Sequence, residues 1–270
     1  MLRRWPILLA ALALSAGTAL AAGGTTAVAN ATTPAVAPSA INPGGIAHLI
    51  GPTSDVTGVL TQAESTNWAG YADTAGTYTS ITASWVQPAA TCGSGDQYAA
   101  FWVGIDGYSS STVEQTGSEV DCIGKTAEYY AWYEMYPGPS ENYSNTVKAG
   151  DDFTATVTWL GGEKFSLYID DSTEGWSHTT DASLGSTPAR TSAEVIVEAP
   201  CCSESGGVLP LADFHSITFT GAYANGKPIG TPSLDPVQIS LIDSTQKDEL
   251  TCSALGDDGT SFTCTWIRTS

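Results

Sequence analysis

Phe153-Thr154-Ala155-Thr156-Val157-Thr158-Trp159 alternates without a break between apolar residues and threonine. In an extended chain successive side chains point to opposite faces, so Phe153, Ala155, Val157 and Trp159 share one side and the threonines the other. That is a strand with one face on a core and the other toward water. Leu160-Gly161-Gly162-Glu163 then makes a turn, and Phe165, Leu167 and Ile169 resume the alternation in a returning strand. Further strand segments read at 77–86, 97–105, 111–117, 127–135, 174–180, 192–198, 215–223 and 237–243, separated by Gly, Asp, Asn, Ser and Pro, with no helical stripe of any length. This pattern predicts an all-β fold, a two-sheet antiparallel β-sandwich.

Outward from this domain the composition changes. The chain opens with Arg3 and Arg4, an apolar run to Leu20, then Ala21 and Ala22. That order predicts a signal peptide over 1–21 and a secreted, extracellular product. Ser15, Gly17 and Thr18 interrupt the run, so it is a poor membrane anchor. Residues 22–60 are dominated by Ala, Gly, Thr, Pro and Val, with no aromatic residue, no Lys or Arg and one acid, Asp55. They read as a low-complexity pro-segment or linker, leaving 61–270 as one β domain whose folding starts near Glu64.

The formal net charge is −19, and removal of Arg3 and Arg4 with the signal peptide takes it to −21. Nucleic acid and anionic membranes are therefore not expected partners. In acid the carboxylates protonate and the self-repulsion fades, which suits a low-pH environment; acidity for solubility is the plainer reading of the same number. Six cysteines in an exported chain favour disulfides. Cys252 and Cys264 flank the turn Gly256-Asp257-Asp258-Gly259 and are placed to close a hairpin, Cys92 and Cys122 to brace the segment carrying Gln115, while the adjacent Cys201 and Cys202 leave the connectivity open. His48, His178 and His215 are scattered and no Cys-x-x-Cys occurs, so no metal or other cofactor is expected. Nothing in the chain calls for a partner subunit, so a monomer is expected.

Two strands stand out chemically. In Tyr130-Ala131-Trp132-Tyr133-Glu134-Met135-Tyr136 one face collects Tyr130, Trp132, Glu134 and Tyr136, a mixture of rings and an acid suited to a groove that grips an extended polymer. Rings packing across a wet sheet face would give the same pattern. In Ala193-Glu194-Val195-Ile196-Val197-Glu198 two acids project to one side of a strand otherwise fit for burial, where a carboxyl would have a displaced pKa. Alternation treats Glu194 and Glu198 alike. Gln115, by itself, reads as an ordinary strand glutamine. No Gly-x-Ser-x-Gly elbow, Asp-Thr-Gly or Asp-Ser-Gly is present, so serine and aspartic-type hydrolysis lack their motifs.

Asn67-Trp68-Ala69-Gly70, Phe101-Trp102-Val103-Gly104-Ile105-Asp106-Gly107, Gln115-Thr116-Gly117, Ala131 through Pro137, Ala193 through Glu198 and Leu211-Ala212-Asp213-Phe214 together resemble, in order, the motifs of the glutamic peptidases, or eqolisins. The resemblance spans roughly residues 64–230. It implies a β-sandwich of the concanavalin or jelly-roll kind with a concave substrate groove, and an acid endopeptidase acting on proteins and peptides. It places the catalytic pair on Gln115 and Glu198, and it implies that Trp68, Asp106, Trp132, Glu134 and Tyr136 line or support the groove. Two departures stand out: Val195 occupies a position that is commonly Trp in fungal members, and Ser118-Glu119-Val120 reads as an insert lengthening a turn after Gly117. The implied chemistry is coherent. A carboxylate takes a proton from water, and a neutral amide stabilises the oxyanion at any pH. A sandwich-fold glycoside hydrolase using Glu194 and Glu198, and a non-catalytic carbohydrate- or peptide-binding module using Trp68, Trp132 and Tyr136, are the alternatives; ideal strand geometry sets residues four apart at roughly 13 Å, too far for a glycosidase pair without a bulge.

Overall fold

The computed structural model describes residues 46–56, 60–200 and 207–269. The signal peptide at 1–21, most of the 22–60 stretch and the Cys201-Cys202 pair lie outside them. The described chain forms strands β1 (Leu49–Val56), β2 (Leu60–Ser65), β3 (Trp68–Asp73), β4 (Ser80–Val86), β5 (Gln97–Ile105), β6 (Val113–Ile123), β7 (Thr126–Tyr136), β8 (Glu141–Asn142) and β9 (Asp152–Gly161). These are followed by β10 (Lys164–Asp171), β11 (Trp176–Ser183), β12 (Ala193–Glu198), β13 (Ser216–Ala224), β14 (Lys227–Pro228), β15 (Pro236–Ile242), β16 (Asp248–Cys252) and β17 (Phe262–Trp266). A short 3-10 turn at Pro232–Leu234 is the one helical element among the described residues, and none is long and apolar enough to cross a membrane.

The first sheet runs β1-β2-β15-β3-β12-β5-β6-β7-β8, and β16 and β17 carry it from the end of β15 to the start of β13. Every pairing is antiparallel except β15 with β2. The second sheet runs β11-β10-β9-β4-β13, with β14 on the end of β13. β13 belongs to both: residues 216–219 pair with β17, and from Thr220 onward with β4. The change of partner falls at a bulge around Gly221, whose φ of 59° is costly for a residue with a Cβ.

Between the sheets lies the main core. The strand quoted first is β9, and its Phe153, Ala155 and Val157 are buried there beside Trp85, Phe165, Leu167 and Ile169. Its outward threonines bond across to β4, Thr154 with Ser84 and Thr156 with Thr82, each at 2.8 Å. Trp159 is only partly buried and takes the Arg190 guanidinium over its ring at 3.6 Å. Trp85 stacks on Phe153 and meets Phe219 edge-on, with Phe219 continuing to Phe262. These rings join both sheets near the bend of β13.

The other face of the first sheet carries a second cluster formed by Trp68, Ala72, Ala100, Trp102, Val113, Tyr130, Trp132, Ile196, Val237 and Ile239. Both faces of the central strands are thus covered, and β3 and β12 are buried along their whole length. Gln115, Glu134 and Glu198 lie on this second face, in the rows of Gly104, Gln115 and Glu134 and of Trp68 and Glu198.

Two readings are corrected. β6 does not stop at Gly117 but continues to Ile123, so Ser118, Glu119 and Val120 are strand residues and not part of a turn. Gly117 reads as a breaker, yet it is mid-strand because a Cβ there would run into Phe101 O, with Trp102 Cβ 2.6 Å away. Strand structure also begins earlier than Glu64: β1, inside the 22–60 stretch, pairs with β2.

Two disulfides lie among the described residues. Cys252 and Cys264 face each other in register between β16 and β17, and Cys92–Cys122 ties the segment before β5 to the end of β6, closing a separation of 30 residues. Loop-closure entropy assigns a bridge of this kind roughly 3 kcal/mol. Replacing Cys92 and Cys122 together by Ala should lower the calorimetric Tm by roughly 6–12 °C for a domain of this size; an unchanged Tm would mean that the bridge constrains nothing the sheet does not already hold.

Candidate active site

Three cross-strand rows build the site. In the first, Trp68, Glu198, Ala100, Glu119 and Tyr130 lie side by side on β3, β12, β5, β6 and β7. In the second the order is Gly70, Ile196, Trp102, Gly117 and Trp132, and in the third Ala72, Glu194, Gly104, Gln115 and Glu134. Glycines at 70, 104 and 117 make room among large rings. A Cβ on Gly70, whose φ is 142°, would collide with Val195 O. Trp102 therefore lies close to the sheet, its six-membered ring against Gly104, and packs edge-on against Trp68 at 4.9 Å.

Glu198 is fully buried and supplied with donors. Trp102 Nε1 donates to its Oε2 at 2.9 Å and Asn67 Nδ2 to its Oε1 at 3.4 Å. Asn67 is itself held: Ser65 Oγ and His48 N donate to its Oδ1 and its Nδ2 donates to Ile46 O. Burial pushes the Glu198 carboxyl well above the usual range, and the charge of Glu134 adds to this, while Trp102, Trp68 and Asn67 pull it partly back. The rows of Gln115 and Glu198 are not adjacent. Yet Glu134, the cross-strand partner of Gln115, is the largest charge acting on Glu198, and Gln115 Nε2 donates to Glu134 Oε2 at 2.7 Å.

Glu194 shares the face and is also fully buried, but its surroundings differ. Its carboxyl is raised by burial and by the charges of Asp106, Glu114 and Asp73, and neither of its oxygens has a hydrogen-bond partner among the described residues. Trp and Asn donors surround Glu198, whereas other acids surround Glu194. Tertiary structure thus separates two residues that alternation treats alike.

The remaining site candidates divide. Trp68, Trp132 and Glu134 are buried in this face, and Tyr136 is half-buried against its apolar cluster. Asp106, with φ 73°, accepts from the backbone N–H of Arg190 at 2.6 Å and of Thr191 at 2.9 Å. Its carboxylate holds the chain entering β12. The structure adds residues that sequence reasoning passed over. Asn67 and Trp102 hold Glu198, and Glu119 and Asp121 continue the face of Gln115 down β6, with Tyr130 Oη donating to Asp121 Oδ2 at 3.0 Å. The signal for the acids was present as alternation at 115, 117, 119 and 121, hidden by ending the strand at Gly117.

Several buried carboxyls of this sheet have raised pKa values. Burial, with the nearby charge of Asp235, pushes Asp73 up to about 8, and burial with Asp106 pushes Glu114 up to about 8. Asp121 rises to about 6, mainly by burial, and Glu119 rises well above the usual range for the same reason and through the charge of Asp121. For an acid whose folded pKa is raised, the stability contribution is complete below the unfolded value near 4 and is lost as pH rises through the folded value. Thermal stability should therefore be greatest at about pH 4 and below with respect to these groups and decline up to about pH 8. Glu114→Gln should flatten that decline; a variant whose Tm falls with pH as steeply as wild type would exclude Glu114 as a contributor.

Comparison with known proteins agrees with this geometry. Residues 66–266 match the model of the Peptidase A4 family. Aspergillopepsin-2 of Aspergillus niger is 30% identical over 234 residues, covering 78% of this chain and 80% of the relative. Scytalidopepsin B of Scytalidium lignicola is 31% identical over 216 residues, covering 74% and 78%. The crystal structure of scytalido-glutamic peptidase with a transition state analog inhibitor superposes with a TM-score of 0.65 at 27% identity, covering 75% of this chain and 98% of that one, so the two sheets described above form the same β-sandwich. The chain belongs to the Peptidase A4 family.

Proposed function

We propose that this protein is a secreted glutamic endopeptidase that hydrolyses peptide bonds of proteins in acid, with Glu198 as general base and acid and Gln115 as oxyanion donor. The observation that carries this reading is the buried Glu198 carboxyl held by Trp102 and Asn67, electrostatically linked through Glu134 to the Gln115 amide. Ionised Glu198 takes a proton from water, and the water oxygen bonds to the scissile carbonyl carbon. The carbonyl π pair moves onto oxygen, where Gln115 Nε2–H stabilises it. As the tetrahedral intermediate collapses, the C–N bond breaks, and the amine takes the proton from Glu198 and restores the carboxylate. A carboxyl with a raised pKa is the stronger base once ionised, so the burial that makes ionisation costly also makes the proton transfer more favourable. Half-buried Tyr136 offers ring surface to an extended peptide, the buried Trp68 and Trp132 support it from within the same cluster, and Asp106 supports the groove through the 190–191 backbone.

The same reading assigns 1–21 to a signal peptide, 22–60 to a pro-segment and 61–270 to the peptidase domain of a monomer. It is supported by the family match starting at 66. N-terminal sequencing of the exported protein should find a start near residue 61.

Gln115→Ala should lower turnover of a denatured protein substrate roughly a hundred- to a thousandfold. Glu198→Gln should lower it at least as far, with both variants keeping the wild-type circular dichroism spectrum. Wild-type turnover in either would falsify the assigned role.

A further inference from the structure

Accepting Gln115 as the oxyanion donor, we infer that Glu134 is the positioning residue of that donor: its carboxylate holds one Nε2 proton of Gln115 and so decides which way up the amide stands. A glutamine side chain ends in two groups of nearly equal size and opposite polarity, and rotation by half a turn exchanges them. Catalysis needs the nitrogen, not the oxygen, on the side of the developing oxyanion. Something must break that degeneracy.

The surroundings of Gln115 offer one group that does so. Its neighbour on β5 is Gly104, which has no side chain, and its neighbour on β7 is Glu134, at 2.7 Å from Nε2. Oε2 of Glu134 accepts from Nε2, and while that carboxyl is ionised it only accepts, so the flipped amide would set two acceptor oxygens against each other. With one Nε2 proton on Glu134, the second is left for the substrate. Gln115 Oε1 is buried with no hydrogen-bond partner among the described residues and is available to accept from the attacking water.

Glu134 acts on the other half of the pair as well. The groups facing Glu198 are Asn67 and Trp68 at the start of β3, Trp102 on β5, Glu119 on β6 and Glu134 on β7, with Glu194 four residues away on its own strand. Of these, Asn67 and Trp102 donate to it as neutral groups. Among the acids Glu134 exerts the strongest repulsion, opposing ionisation of Glu198. Removing its charge should therefore lower the pH at which the base becomes active. One side chain thus aligns the neutral partner and tunes the charged one, two effects that substitution can separate.

The test compares Glu134→Ala, Glu134→Gln and Gln115→Ala on a chromogenic peptide, with kcat and KM measured across pH. Glu134→Ala should lower kcat roughly tenfold or more through a misaligned oxyanion donor, with KM within about threefold of wild type. It should also move the acid limb of kcat/KM to lower pH. Glu134→Gln keeps an acceptor but adds a donor, so the Gln115 amide is held less decisively; kcat should fall less than in Glu134→Ala while the acid limb shifts equally. The near-isosteric Gln variant keeps the limb shift measurable even if the Ala variant fails to fold. A rise in KM with kcat intact would make Glu134 a substrate contact and overturn the inference. So would an unmoved acid limb with wild-type kcat in both variants while Gln115→Ala is inactive. Turnover retained in Gln115→Ala would instead remove the assignment of Gln115 on which the inference rests.

Discussion

The hydrogen bond from Trp102 Nε1 to Glu198 is the contact around which this face of the sheet is arranged. A carboxylate at zero exposure is costly unless donors meet it, and an indole N–H is a donor that brings its own apolar cover. For the indole to reach across from β5 to β12, the neighbouring positions must be small. Gly117 on β6 and Gly70 on β3 are glycine because a Cβ at either would enter the backbone of the next strand. The close approach of β3, β12, β5 and β6, the edge-on packing of Trp68 on Trp102 and the Asn67 clamp all serve one carboxyl group.

That arrangement sets the conditions under which the protein works. The two faces of the first sheet together hold Asp73, Glu114, Glu119, Asp121, Glu194 and Glu198, all with carboxyl pKa values displaced upward chiefly by burial. At neutral pH such a cluster is a store of repulsion, since each ionisation must occur in a medium that solvates charge poorly. In acid the same groups are neutral and tolerate burial. The stability that these groups contribute is therefore lost as pH rises through their folded pKa values. The acidic surface pushes in the same direction, because its self-repulsion also grows with pH.

The second sheet and its core hold this face in place. β13, bent at Gly221, passes from one sheet to the other and carries Phe219 into a ring cluster with Trp85 and Phe262. The central strands of the first sheet are thereby packed on one side while their other side is given to the carboxyls. A strand buried on both faces tolerates little register error, because a one-residue slip would exchange the two sets of side chains. Asp106 extends this control to the loop before β12 by holding the backbone of Arg190 and Thr191.

The sequence by itself determined the strand character of the domain, the alternation that put Phe153, Ala155 and Val157 inside, the common face of Tyr130, Trp132, Glu134 and Tyr136, and the ordered motifs that pointed to Gln115 and Glu198. These are local: period two is a property of the extended chain, and a motif is read along it. Tertiary structure alone decided the different surroundings of Glu194 and Glu198, the clamp of Trp102 and Asn67, the strand that runs through Gly117 to Glu119 and Asp121, and the bond from Gln115 to Glu134. Each depends on which strand lies beside which, and pairing between residues far apart in the chain leaves no trace in the periodicity of either. A glycine shows this most plainly: along the chain Gly117 looks like an interruption, and only the backbone of Phe101 and Trp102 pressed against it explains why the strand continues.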